Sequence, residues 1–165
     1  MGLFVRFKLP GHYRVTFTLA KTVDIYGVNS ELTDGRHILM WDFDGVSLER
    51  VKRILSYRQG DLSLPKIHIF QSRADGMGFH AYCFQCCAFS EAVSIVADTA
   101  HVDWDFVKWA VIRGRFTLRL SPKGGYIPHE VAVLPSVIAD NSAPEDMRSY
   151  VRYETLERIA EQHGY

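Results

Sequence analysis

The chain has 165 residues, 19 basic side chains against 19 acidic ones, and is 47% hydrophobic and 13% aromatic. That length and apolar share fit a single folded domain, 1–165, with a proper core, and they exclude a disordered chain. The zero net charge excludes a binder that works by blanket attraction to phosphate, so any nucleic-acid contact must run through a local basic patch or a metal.

The apolar runs are far too short to cross a bilayer. The opening MGLFVRFKLPGHY lacks the charged start, apolar stretch and cleavage site of a secretory leader. The expectation is a cytoplasmic chain with no membrane partner. Tyr13 to Ala20 alternates with the period of a half-buried strand. Val23 to Arg36 reads as a loop, with Asn, Ser, Asp and Gly. His37 to Phe43 is a buried strand. Val46 to Tyr57 has apolar residues at helical spacing, with Ser47 as a fair N-cap. Lys66 to Ser72 and Phe79 to Phe84 are strands joined by a hairpin turn, Arg73 to Gly78. Ala88 to Thr99 is a second helix. A short helical turn from Asp103 precedes strands near Trp109 to Ile112 and Arg115 to Leu120, closed by Pro-Lys-Gly-Gly. Glu130 to Leu134 is one more strand, and Pro144 to Gln162 reads as a C-terminal helix.

The middle is therefore strand, helix, strand, strand, helix, strand. This order predicts an α+β fold with an RRM-like, ferredoxin-like βαββαβ core: an antiparallel-rich mixed sheet with helices on one face. Flanking strands and the C-terminal helix complete it, with 36–125 as the core and 1–35 and 126–165 as flanks. The three cysteines, Cys83, Cys86 and Cys87, crowd five positions. Adjacent cysteines rarely pair and no further ligand pair completes a zinc site, so they read as reduced and half-buried.

Four groups carry possible chemistry. Asp42 and Asp44 in WDFDG are two apart on a strand and project from one face. Two ionised carboxylates side by side call for a cation or good access to water, and Mg²⁺ or Mn²⁺ suits such oxygen ligands. The alternative is a strand end with Asp44-Gly45 as the turn. His80 points away from Phe79, beside Gly78. It is either a phosphate or metal contact or an ordinary strand histidine. Ser72, at the end of the incoming strand, offers a hydroxyl. In VDWDF, Asp103 or Asp105 can supply the third carboxylate that two-metal phosphoryl chemistry wants, or either can be an acid at a helix N-terminus. In RGRFTLRLSPKGG, Arg115, Thr117 and Arg119 share a strand face and Lys123 follows in the turn: a cationic strip for phosphates, or a solvated edge strand.

Taken together and in this order, the groups resemble the catalytic domain of the archaeo-eukaryotic primase superfamily, the primase-polymerases. Trp41-Asp42-Phe43-Asp44 matches that family's hydrophobic-Asp-hydrophobic-Asp strand. Ser72 with Gly78-Phe79-His80 matches its second motif, with a longer turn between the two parts. Val102-Asp103 matches the third, with Asp105 competing. Arg115, Arg119, Lys123 and Gly124 resemble the basic strand and turn of phage and plasmid members.

The resemblance covers roughly Arg36 to Gly125. It implies Mg²⁺ or Mn²⁺ at Asp42, Asp44 and Asp103, with His80 in the catalytic set. Phosphates would lie at Ser72, His80, Arg115, Arg119 and Lys123. The implied reaction is the joining of nucleoside triphosphates on a single-stranded DNA template, by 3′-hydroxyl attack on an α-phosphate. A replicative helicase or another replication protein would be the partner of so short a chain, which has no P-loop and no four-ligand zinc pattern. Two other classes stand beside it. One is a non-catalytic RRM-like binder of single strands that stacks bases on Tyr82, Phe84, Trp109 and Phe116. The other is a metal-dependent nuclease.

Overall fold

The computed structural model describes residues 3–19 and 22–155. The chain divides into two compact units, Met1–Ile25 with Val151–Tyr165, and Tyr26–Tyr150. In the first unit, β1 (Leu3–Lys8) and β2 (Arg14–Leu19) form an antiparallel hairpin in register from Leu3↔Leu19 to Lys8↔Arg14. Its turn needs left-handed backbone at Gly11 and His12, with φ of 78° and 66°.

The second unit is built on a seven-stranded sheet. Its strands are β3 (Thr22–Leu32), β4 (His37–Asp44), β5 (Ile67–Gln71), β6 (Gly78–Cys87), β7 (Thr117–Arg119), β8 (His129–Leu134) and β9 (Met147–Thr155). The order is β7-β3-β4-β6-β5-β8, and β9 also pairs with β3. The β3–β4, β3–β7, β4–β6, β5–β6 and β5–β8 pairings are all antiparallel. Among the described residues there are three α-helices, α1 (Leu48–Leu62), α2 (Phe89–Ala97) and α3 (Trp104–Arg113). The fold is α+β and consistent with the ferredoxin-like class. Two helices rather than one separate β6 from β7. β3 is inserted between β7 and β4, so β7 runs in the same sense as β4.

One sheet face is the core. Leu39, Trp41 and Phe43 of β4 and Ile67, Ile69 and Ala81 beside them have no exposed surface. Helix α1 buries Val51 and Leu55 at i, i+4 spacing, and α2 buries Ala92 and Val96 in the same way. Trp41 donates its indole N–H to the Thr99 hydroxyl at 3.0 Å, which ties β4 to the end of α2. Arg58 of α1, almost fully buried, donates to the carbonyl and the carboxylate of Asp98 and so caps α2. The three thiols are free and buried. Burial raises those of Cys83 and Cys87 to about 12.

Four expected elements are corrected. Val23 to Arg36 is not a loop: β3 occupies it through Leu32, because its polar residues are buried with partners. The Ser30 hydroxyl lies 2.9 Å from His37 Nδ1 and accepts from the Phe116 N–H at 3.0 Å, and Asn29 accepts from the Thr117 hydroxyl at 3.2 Å. Trp109 to Ile112 is helical, not a strand. Asp103 caps the helix through the Asp105 N–H, Val107 and Ala110 face inward three apart, and Gly114 (φ 72°) ends it. The strand expected over Arg115 to Leu120 shrinks to Thr117–Arg119. The C-terminal helix is replaced by a 3₁₀ turn (Pro144–Asp146) and then β9, whose Ser-Tyr-Val-Arg-Tyr stretch suits a sheet. Residues 156–165 of that expectation lie outside the described residues.

Candidate active site

The sheet face opposite the core carries the polar residues. Strand register sets them in rows. Asp42 of β4 lies across from His80 of β6, and His80 lies across from Phe70 of β5. One row further, Asp44 lies across from Gly78, whose carbonyl accepts from the Ser72 N–H at 2.9 Å. His80 Nε2 is 3.8 Å from Asp42 Oδ1, so the two are in contact without a short hydrogen bond. Their side chains keep 10% and 24% of their surface exposed. The start of α3 docks on the same strand end, with the Asp103 N–H donating to the Asp42 carbonyl at 2.8 Å.

Electrostatics join the group. Burial, followed by the charges of Asp44 and Asp103, lifts the Asp42 carboxyl from 3.8 to about 7, and Lys123 opposes this. Burial lowers His80 from 6.5 to about 4, so the ring is neutral at pH 7. Asp44 favours its charged form and Lys123 disfavours it. His80 Nδ1 is buried without a hydrogen-bond partner, as is the hydroxyl of Tyr82, two residues further on the same face. Burial and the charges of Asp42 and Tyr150 push the Tyr82 phenol up.

The structure thus brings Asp42, Asp44, Asp103, His80 and Lys123 together, with Ser72 at the margin. Asp105 instead turns toward Lys108, at 3.9 Å, so Asp103 is the third acid that acts on Asp42. Lys123 sits at a two-residue turn whose glycines, Gly124 and Gly125, have φ of 57° and 80°, as such hairpins require.

Arg119 does not face the acids as an open phosphate clamp. It donates to the Ser121 carbonyl and hydroxyl and to the Pro122 carbonyl, bracing the turn that presents Lys123. Arg115 pairs with Glu31 at 3.9 Å, and Glu31 lies beside His37. His37 is five residues from Asp42, roughly 17 Å along an extended strand, so Arg115 stands at the other end of β4.

One participant was not singled out from the sequence: Arg73. Its Cγ lies 2.7 Å from where a Cβ on Gly78 would sit. From there its guanidinium reaches Asp44 at 3.5 Å and Asp75 at 2.7 Å. The long turn also holds the end of β4, because the Met77 carbonyl accepts from Gly45 and Val46 at 2.7 and 3.3 Å. The only sequence signal was a turn longer than the family pattern.

Among the described residues no three His, Cys, Asp or Glu side chains are placed to hold one ion. The donors around Asp42 are nonetheless hard oxygens, and the three carboxylates act against one another in a way a cation would relieve. They fit Mg²⁺, which is commonly held by one or two carboxylates and completes its shell with water and phosphate oxygens. The base-stacking platform is not available. Phe116, Tyr82 and Phe84 are buried, and Trp109 lies on α3 rather than on the sheet. No helix among the described residues is long and apolar enough to cross a membrane. Comparison with known protein families, curated proteins and solved structures finds no match for this chain.

Proposed function

We propose that this chain is a metal-dependent nucleotidyltransferase of primase-polymerase type, joining nucleoside triphosphates on a single-stranded DNA template. One observation carries the reading: Asp42 and His80 stand 3.8 Å apart on paired strands, and Asp44, Asp103 and Lys123 act on one or both of them. Such a set provides anionic oxygens for a cation and neutral or cationic donors for phosphate, side by side. A Mg²⁺ or Mn²⁺ ion held by Asp42 and Asp44, with Asp103 beside them, would neutralise charge developing on the reacting phosphate.

The protein's own groups do the rest. His80, neutral at pH 7, donates one N–H to a phosphate oxygen without repelling the cation. Lys123 adds positive charge on the pyrophosphate side. Asp42, with its carboxyl lifted to about 7, is held ready to lose its proton when a cation arrives. The bond formed joins the 3′-oxygen to the α-phosphorus, and pyrophosphate leaves.

The test is primer synthesis and extension on a single-stranded DNA template with nucleoside triphosphates and Mg²⁺ or Mn²⁺. The variant is Asp42→Ala with Asp44→Ala, checked for folding by circular dichroism. Synthesis that the folded double variant loses supports the reading. Template binding without synthesis in the wild type, unchanged in the variant, overturns it, and metal-dependent template cleavage assigns the same residues to a nuclease.

A further inference from the structure

Next to the acidic end of this face lies a cavity of about 480 Å³, within the range of small-ligand sites. Phe70, Tyr82 and Phe84 of β5 and β6 line it together with Val28, Leu120 and Met147. Phe70 and Tyr82 meet edge to face, ring centroids 5.4 Å apart at 84°. Two polar atoms in this apolar lining lack partners, the Tyr82 hydroxyl and Asp140 Oδ1. Tyr82 is only 5% exposed. The other carboxylate oxygen of Asp140 is held by Lys66 at 2.9 Å.

We propose that this cavity receives the base of a nucleoside whose phosphates lie at His80 and Lys123. The proposal rests on the reading of the acidic site given above and adds where the nucleoside itself binds. An aliphatic ligand would leave the phenol and the carboxylate oxygen buried and unsatisfied, which is costly. An anion would meet Asp140 and Asp42. A heteroaromatic ring has apolar faces for Phe70 and Phe84, and a polar edge. The phenol can donate or accept, whereas Asp140 can only accept, so the ring must present an N–H. The spacing also fits. Tyr82 is two residues from His80 on one strand face, roughly 7 Å along the strand, on the scale of the sugar between a base and its α-phosphate.

The experiment uses free nucleosides, which carry no phosphate, in metal-free buffer containing EDTA. Adenosine, guanosine, cytidine and thymidine are each titrated into the ¹⁵N-labelled full chain at millimolar concentration. The expected result is that at least one of them shifts the amide signals of Phe70, Tyr82 and Phe84. Tyr82→Phe, which keeps the packing and removes only the hydroxyl, should weaken that binding about five- to tenfold, the worth of one hydrogen bond. The proposal is overturned if no nucleoside shifts those amides, if the shifts map elsewhere, or if Tyr82→Phe binds as well as the wild type. Failure here is separable from failure of the nucleotidyltransferase reading. Primer extension without nucleoside binding sinks the base pocket alone, and nucleoside binding without any synthesis sinks the reaction alone.

Discussion

Asp42→Asn should make the protein more stable at pH 8 and no more stable at pH 4. The substitution keeps the shape of the side chain and removes its charge. In the folded state the Asp42 carboxyl is lifted from 3.8 to about 7, by burial first and by Asp44 and Asp103 next. The unfolded chain therefore gives up this proton at lower pH than the folded protein does. Between about pH 4 and pH 7 the unfolded state binds fewer protons, so stability falls as pH rises, and the full penalty is present above pH 7. At roughly 1.4 kcal/mol per pH unit, three units give a ceiling of about 4 kcal/mol. With a quarter of the side chain exposed, about 2–4 kcal/mol is the working figure.

The assay is urea unfolding of wild type and variant at several pH values from 4 to 8.5. Effects common to both proteins, the titration of His80 among them, cancel in the difference. The variant's advantage should grow across the window from pH 4 to 7 and then level off. Millimolar Mg²⁺ at pH 8 should narrow the gap by stabilising only the wild type. A difference that does not change with pH would refute the reasoning, because Asp42 would then be ionised in both states throughout.

His80 should remain neutral down to about pH 4, read from its ring proton shifts in an NMR titration. Its depressed value means that its contribution to stability is lost as pH falls from 6.5 toward 4, and a midpoint near 6.5 would contradict its burial. Gly27→Ala should destabilise the fold by more than about 2 kcal/mol, because a Cβ there would collide with the Leu118 carbonyl on the paired strand and with the Tyr150 ring. A thermal-shift measurement that finds no loss would contradict the close β3–β7 approach. Cys83 and Cys87, with thiols raised to about 12, should react with a thiol reagent only after denaturation. Rapid labelling of the native protein at pH 7.5 would show that those strands open.

The core sheet and its site were legible in the sequence because each rests on short-range pattern. A buried run ending in alternating aspartates, and a hairpin placing His80 beside glycine, are signals within a few residues. β3 was not legible, because its Asn29 and Ser30 look like loop residues until Thr117, His37 and Phe116 supply their partners from far along the chain. Helix α3 was misread at Trp109 to Ile112 because β-branched and aromatic residues favour strands locally. Its helical state depends on the cap at Asp103 and on Val107 and Ala110 finding the core. The reach of Arg115 was misjudged for a related reason. A strand face says which way a side chain points, but not that Glu31 waits beside it.

Asp42 also explains why the hairpin turn is long. Three carboxylates crowd the end of β4, and on their own they would drive that end into solvent. The Arg73–Met77 turn opposes this in two ways. Its Met77 carbonyl takes the Gly45 and Val46 N–H groups, which fixes the backbone just after Asp44. Its Arg73 side chain lies across the space left by Gly78 and brings a positive charge to Asp44. That ion pair is solvent-exposed and therefore weak, so it restrains Asp44 without locking it. A cation entering with a triphosphate would compete with Arg73 for Asp44. A turn of two residues would close the β5–β6 hairpin equally well, but it would have neither the carbonyl nor the arginine to give.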